Sequence, residues 1–340
     1  MTLGVVVSCY RQERFLAGTI AALETALAGE TWRGVIEFAA PSDAALPPMS
    51  ERWNVIHSFE PATGAPLRPL TPGAGRMVGF DACGGDWVLF VDSDVQIDGS
   101  WLRAAIDVAR GEPGVGGIGG RLEEWFVAGA TTALNNPDMY GAGDRDHAVE
   151  YLAAVAFYRR EALAQAGGYD VRLNSDEDFE LGLRFAWAGW ELRTLGRLAG
   201  RHWSAPRPSF PELERRWRTG LVLGRGQVLR LYVGRRGFAR LARHQTLYIA
   251  TIGMWALGVV ALGASLLRAD PRPFGAWFAL PLLVLAVMLA RKRSAFLAVH
   301  SLLSWTLNGI GAVVGFVAPT RPMPFGTAAT VRPRGAGLPC

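Results

Sequence analysis

Residues 246–267 carry no charge, and after a short link a second uncharged run covers residues 274–290. A helix of about 20 apolar residues spans the hydrocarbon core of a bilayer. Residues 246–267 therefore read as a transmembrane helix, and residues 274–290 as a second one at the short end of the range. The link, residues 268–273, is too short for a domain, so the two spans should form a hairpin. Residues 294–318 are long enough for a third span but include His300 and Asn308. That segment either crosses, re-enters or lies in the interface.

The remaining composition agrees with this division. Half of the residues are hydrophobic and only 19% are charged, low for a soluble chain. The apolar excess lies after Gln245, and nearly all acids lie before it. The net charge of +5 comes with arginines at the borders of the apolar runs: Arg230, Arg235, Arg236, Arg240 and Arg243, then Arg291, Lys292 and Arg293. Basic residues at membrane borders favour the cytoplasmic side and attract anionic head groups. A membrane is the expected partner, and no nucleic acid. Met1 leads straight into a strand-like run with no basic leader or cleavage site, so the front portion is expected in the cytoplasm, on a multi-pass cytoplasmic (inner) membrane protein. Cys9, Cys83 and Cys340 form no metal spacing or disulfide framework.

Residues 3–8, 35–40, 53–59 and 87–91 read as strands, with helices expected at 13–28, 75–82 and 101–109. Residues 115–120 read as a strand opening into a glycine turn, and 151–158 as a further strand. Helices are expected at 160–166, ended by Gly167-Gly168, and at 177–188. One or two amphipathic helices are expected within 211–243. The rhythm predicts an α/β domain with a mostly parallel sheet and helices on both faces. The division that follows is 1–208 for the α/β domain, 209–245 for an interfacial helical segment, 246–318 for two or three transmembrane helices and 319–340 for a tail.

The strongest local signal is Gly85-Asp86-Trp87-Val88-Leu89-Phe90-Val91-Asp92-Ser93-Asp94. A strand apolar throughout is buried on both faces, and here it ends in two carboxylates. The carboxyl ends of such strands open into the crevice where α/β sheets bind ligands. Hard cations such as Mg²⁺ or Mn²⁺ take oxygen ligands and sit between carboxylate and phosphate. Asp94, helped by Asp92, fits that work; a turn or a helix cap is the competing explanation.

Taken in order, several weak motifs resemble a family 2 glycosyltransferase of the GT-A (Rossmann-like) fold over roughly residues 3–205. They are Val6-Val7-Ser8-Cys9-Tyr10-Arg11-Gln12-Glu13, Arg76 ahead of Gly85-Asp86 and Asp92-Ser93-Asp94, Ala156-Phe157-Tyr158-Arg159-Arg160 with Gly167-Gly168-Tyr169-Asp170, and Glu177-Asp178-Phe179-Glu180. The resemblance implies an inverting, metal-assisted displacement on a nucleotide-diphosphate sugar. It implies that Tyr10 and Glu13 lie along the nucleoside, that Arg76 approaches base or phosphates, and that Asp92 and Asp94 form the metal motif. Asp178 becomes the general base with Glu177 beside it, and His202 a residue just after the last strand that reaches metal or diphosphate. A lipid-linked or cell-envelope glycan acceptor is expected, because anchoring raises its local concentration.

Two departures stand out. The family's second strand ends in an acid that reads the base, whereas Phe38-Ala39-Ala40-Pro41-Ser42-Asp43 has none at that place; Asp43 is a candidate substitute. Processive members carry Gln-x-x-Arg-Trp, and here Leu213 replaces the glutamine before Arg216-Trp217. That pair either holds an acceptor, Trp217 on a sugar face and Arg216 near phosphate, or anchors an interfacial helix. The membrane part is small for a polymer channel, which favours single-sugar addition over a processive synthase. A non-catalytic nucleotide-sugar-binding scaffold is the rival from another class. A transporter is disfavoured by the acid-bearing soluble domain, and a dehydrogenase by the missing Gly-x-Gly-x-x-Gly.

Overall fold

The computed structural model describes residues 1–39, 45–57, 70–205, 209–318, 320 and 330–332. Asp43 and Cys340 lie outside the described residues. The chain divides into two compact units: residues 1–173, 177–206 and 321–340, and residues 174–176 with 207–320.

The first unit runs β1 (Leu3–Cys9), α1 (Glu13–Ala26), β2 (Trp32–Phe38), β3 (Trp53–His57), α2 (Pro72–Ala82), β4 (Trp87–Asp92), β5 (Val95–Ile97), α3 (Gly99–Gly111) and β6 (Val115–Ala128). It continues with β7 (Thr131–Asn136), β8 (His147–Ala148), β9 (Val155–Arg159), α4 (Arg160–Gln165), α5 (Glu177–Trp187) and β10 (Glu191–Ser204), and β11 (Thr330–Arg332) adds an edge. The sheet order is β11-β3-β2-β1-β4-β9-β6-β10-β5. Strands β3, β2, β1 and β4 are mutually parallel, and β10 runs parallel to β6. Strand β9 enters antiparallel to both β4 and β6, so the mostly parallel sheet is a mixed one.

Alternation along β1 explains the layers. Val5 and Val7 pack with Leu16, Ile20 and Leu23 of α1 and Trp101 and Ile106 of α3 on one face. Val6 packs with Phe80 of α2, Leu163 of α4 and Leu181 and Phe185 of α5 on the other. Each such side chain, fully buried, stabilises by roughly 1.5–3 kcal/mol. With both faces of the sheet covered, its central strands β1 and β4 read as continuous apolar runs.

The expected glycine turn after residue 120 does not form. Strand β6 continues to Ala128, paired with β10 and β7. A Cβ on Gly119 would stand 2.8 Å from Leu152 Cδ2, and one on Gly120 2.5 Å from Trp101 Nε1. These glycines admit neighbouring side chains rather than turn the chain. Gly167 and Gly168, by contrast, do end α4, at φ +82 and +68.

Arg160 closes the end of α2. Its guanidinium donates to Gly85 O (2.8 Å), Gly84 O (3.1 Å), Phe80 O (3.4 Å) and Cys83 O, and lies 4.2 Å over the Phe80 ring. These carbonyls have few other donors within reach at a helix end. Arg160→Ala should lower stability by about 3 kcal/mol, read as a fall in denaturation midpoint at unchanged m-value.

The second unit is helical: α6 (Phe210–Arg218), α7 (Gly224–Leu231), α8 (Phe238–His244), α9 (Thr246–Arg268), α10 (Arg272–Lys292) and α11 (Ala295–Val317). The segment ahead of the first apolar run thus holds three short helices rather than one or two. Helices α9, α10 and α11 are each long and apolar enough to cross a membrane. The polar residues of α11 are accommodated by neighbours: Asn308 accepts from Arg225 at 3.3 Å and donates to Ser304 O at 2.7 Å, and His300 lies 3.3 Å from Ser209 O. A Cβ on Gly311 or Gly315 would collide with the backbone at Val222 and Leu223, so these glycines let α11 approach the start of α7.

Candidate active site

Helix α2 begins at Thr71, whose hydroxyl accepts from Ala74 N (3.2 Å), with Pro72 in the first turn. This sets Arg76 on the face turned toward the end of β4. There the buried guanidinium meets three carboxylates: Nη1 lies 2.8 Å from Glu177 Oε1 and 3.3 Å from Asp178 Oδ1, and Nη2 3.1 Å from Asp92 Oδ1. Its face also lies 5.3 Å over Tyr169. Burial works against the charge, but Asp178 foremost, then Asp92, Tyr169 and Glu177, hold the guanidinium well above its ordinary pKa. Glu177 and Asp178 occupy the first turn of α5, where the helix dipole favours negative charge.

Asp92 and Asp178 thus converge, although they are far apart in sequence. Asp94 follows two residues after Asp92 and is buried. Strand β5 runs antiparallel to β10, with His202 opposite Val95, and Trp203 N donates to Asp94 O at 2.8 Å. This register sets His202 Nε2 3.4 Å from Asp94 Oδ2. His202 therefore lies inside β10 rather than after the last strand. Its other ring nitrogen, Nδ1, is buried with no hydrogen-bond partner.

Asp94 Oδ2 and His202 Nε2, 3.4 Å apart, are an oxygen and a nitrogen donor of the kinds a divalent cation takes, and three acids around one guanidinium leave this pocket rich in negative charge. Among the described residues no three His, Cys, Asp or Glu side chains are placed to hold a metal ion together. Asp92 turns its carboxylate to Arg76, so the Asp94–His202 pair is the better-formed half of the expected metal set.

Tyr10 follows β1 and packs against a small cluster of Ala39, Leu70 and Ala74. Glu13 stands in the first turn of α1. One acid was not singled out from the sequence. Glu37 on β2 is fully buried, beside Gly75 of α2, where a Cβ would stand 2.6 Å from Glu37 Oε2. A charged residue inside an apolar strand was its signal. Arg216 and Trp217 belong to α6 in the second unit. Trp217 lines a groove of about 390 Å³ with Leu213, Leu303, Leu307 and Ile310. Arg216 Nε is buried without a partner, and burial, then Arg225, lower its pKa.

Residues 68–165, which include α2, β4 and β9, match Glycosyl transferase family 2. The pre-mycofactocin glycosyltransferase of Mycobacterium tuberculosis, strain H37Rv, is 30% identical over 132 residues, 36% of this chain and 28% of that protein. The chain therefore spans just over a quarter of the length of the curated relatives it matches. Among solved structures, the mannosyltransferase PcManGT from Pyrobaculum calidifontis, in complex with GDP-Man and Mn²⁺, superposes with a TM-score of 0.57 at 16% identity, over 91% of this chain and 86% of that one. S. aureus TarS 1–349 in complex with UDP-GlcNAc gives 0.47 at 16% identity, over 92% and 91%. The likeness to PcManGT is one of fold.

Proposed function

We propose that this family 2 glycosyltransferase moves a single sugar from a nucleoside-diphosphate donor to an acceptor hydroxyl, by a metal-assisted inverting displacement at the cleft of Asp92, Asp94 and Asp178. The observation that carries the reading is the meeting of Asp92 and Asp178 on one guanidinium, which brings a donor-side and an acceptor-side carboxylate to the same few ångströms.

Asp178 takes the proton of the acceptor hydroxyl as the new bond to the sugar carbon forms. Its side chain keeps 20% of its surface open, against 6% for Glu177. Asp178 is therefore the base, and Glu177 the clamp that fixes Arg76. Mg²⁺ or Mn²⁺, when bound, would stabilise charge on the leaving diphosphate. Asp94 and His202 would hold it, with Asp92 contributing once the donor is in place; the Mn²⁺ and GDP-Man seen with PcManGT support a divalent cation and a nucleotide-sugar donor. Tyr10 offers its ring and Glu13 its carboxylate to the nucleoside. Arg76, held by three acids, acts by orienting them and tempering their repulsion.

The acceptor in this reading is lipid-linked or a cell-envelope glycan. Support comes from the second unit, where α9 to α11 would anchor the chain in the cytoplasmic membrane with the first unit in the cytoplasm. Trp217 in its apolar groove and Arg216 with its unpartnered nitrogen fit an acceptor that joins an apolar chain to phosphate.

The test is a screen of the purified full chain against nucleotide sugars with Mn²⁺ or Mg²⁺, with lipid extract as the acceptor source and released diphosphate as the readout. Chelation should stop release. Asp94→Ala should lower turnover on the order of 10²-fold, since it removes a group stabilising the leaving charge. Unchanged turnover and metal dependence in that variant would refute the metal assignment.

A further inference from the structure

The short strap that leads into α5 is held by groups that the proposed reaction does not use. Residues 174–176 belong to the second unit, and each is gripped there by a different partner. Asn174 N donates to Gln227 Oε1 at 3.0 Å, and Gln227 Nε2 returns a bond to Asn174 Oδ1 at 3.1 Å. Ser175 Oγ donates to Leu221 O at 2.7 Å. A Cβ on Gly224 would stand 2.3 Å from Ser175 O, so the start of α7 lies directly against the strap. Asn174 and Gln227 are both buried.

Asp176 closes the strap. Its Oδ2 accepts from Gln245 Nε2 at 2.9 Å and lies 3.7 Å from Arg225 Nη1, which itself donates to Gln245 Oε1 at 3.0 Å. Arg225 is fixed in turn by Asn308 Oδ1, which accepts from its Nε at 3.3 Å, and by the Tyr248 ring, 4.2 Å from its Cζ. Gln245 is fully buried and stands immediately ahead of α9. The backbone at Asp176 is left-handed, at φ +63. That conformation costs a residue other than glycine on the order of 1–2 kcal/mol, and it persists only where the surroundings fix it. Here the ring of Asp176, Gln245 and Arg225 fixes it. The next two residues are Glu177 and Asp178, in the first turn of α5. The two dihedrals just ahead of a helix set the direction in which it starts, so the backbone at Asp176 governs where the Asp178 carboxylate points.

We propose that Asp176 is a positioning residue for the proposed base: tethered by Gln245 and Arg225, it holds the left-handed turn from which Asp178 is aimed at the acceptor hydroxyl. The inference rests on the reading of Asp178 given above and adds a residue that acts through it, touching neither sugar nor metal.

Diphosphate release by the full chain in detergent tests it, with MnCl₂, lipid extract, and UDP-glucose, UDP-GlcNAc or GDP-mannose as donor. Asp176→Gly takes the left-handed backbone without strain but has no carboxylate to tether. It should lower kcat by about 10–10²-fold, as a misplaced catalytic group does, and leave KM for the donor within about twofold. Asp176→Asn, at home in the left-handed region and still able to accept from Gln245, should stay within about threefold of the parent. The decisive readout is the double variant. Once Asp178→Asn has removed the base, Asp176→Gly should cost less than about twofold, because residues that act as one unit are not additive. Gln245→Met cuts the tether from its other end and carries the same expectation, so the test stands if either variant fails to fold. An equal loss in both backgrounds, or an unchanged kcat in Asp176→Gly, overturns the positioning role and leaves the base assignment standing. Asp178→Asn with the activity of the parent overturns the base and the inference together, as does a parent that releases diphosphate from none of the three donors.

Discussion

Asp178→Asn should reduce glycosyl transfer by roughly 10²–10⁴-fold, the range for loss of a positioned general base, while the folded state stays within about 1 kcal/mol of the parent. The substitution keeps the shape of the side chain, and the amide oxygen still accepts from Arg76. What it loses, in the proposed reaction, is the capacity to take a proton from the acceptor. Glu177→Gln supplies the contrast. Glu177 makes the shorter contact to Arg76, 2.8 Å against 3.3 Å, and is the more buried of the two. Its substitution should leave the proposed base in place, with a smaller fall in turnover than at Asp178. Diphosphate release and denaturant melts on both variants decide the matter. If Asp178→Asn turns over within tenfold of the parent, the base lies elsewhere.

The sequence made the three carboxylates around Arg76 visible because each sits where chain geometry leaves a mark. Asp92 ends a strand with no polar residue before it, and Glu177 and Asp178 open a helix. The elements read most closely are those whose apolar pattern is regular: α1, α2, β4 and α5. Strand β10 was hidden by its own composition. Arginines and glycines interrupt its alternation, and its pairing with β6 shifts register between Leu195 and Leu198 and again before Gly200. That concealment moved His202 from inside the strand to beyond it. Strand β9 is shorter than its apolar run suggests, because Ala154 at φ +58 breaks the extended backbone before Val155.

Partnerships across the fold were the least legible. Arg76 was expected near base or phosphate, and nothing local to α2 says that three acids from β4 and α5 will surround it. The loop between β7 and β8 carries no periodic signal at all. Its shape depends on Asp138 bonding to backbone amides four and five residues ahead, a pattern set by conformation rather than by composition.

Arg76→Met should be the most damaging single substitution to stability, at about 3–5 kcal/mol, because removing one partner of a buried ion cluster leaves the others uncompensated. The methionine fills much of the arginine's volume, so the loss isolates charge from packing. The guanidinium bridges Asp92 to the Glu177–Asp178 pair with two of its nitrogens, and without it three carboxylates, the buried Glu177 among them, face one another without a cation. Arg76→Lys tests geometry separately. An ammonium keeps the charge but lacks the planar fork that reaches both sides at once, so it should recover part of the stability and little of the turnover. Added Mn²⁺ or Mg²⁺ should raise the melting temperature of Arg76→Met more than that of the parent, since a bound dication supplies the charge that was removed. A melting temperature for Arg76→Met equal to that of the parent would mean that the three acids do not depend on the guanidinium, and the convergence on which the proposed active site is built would lose its physical basis.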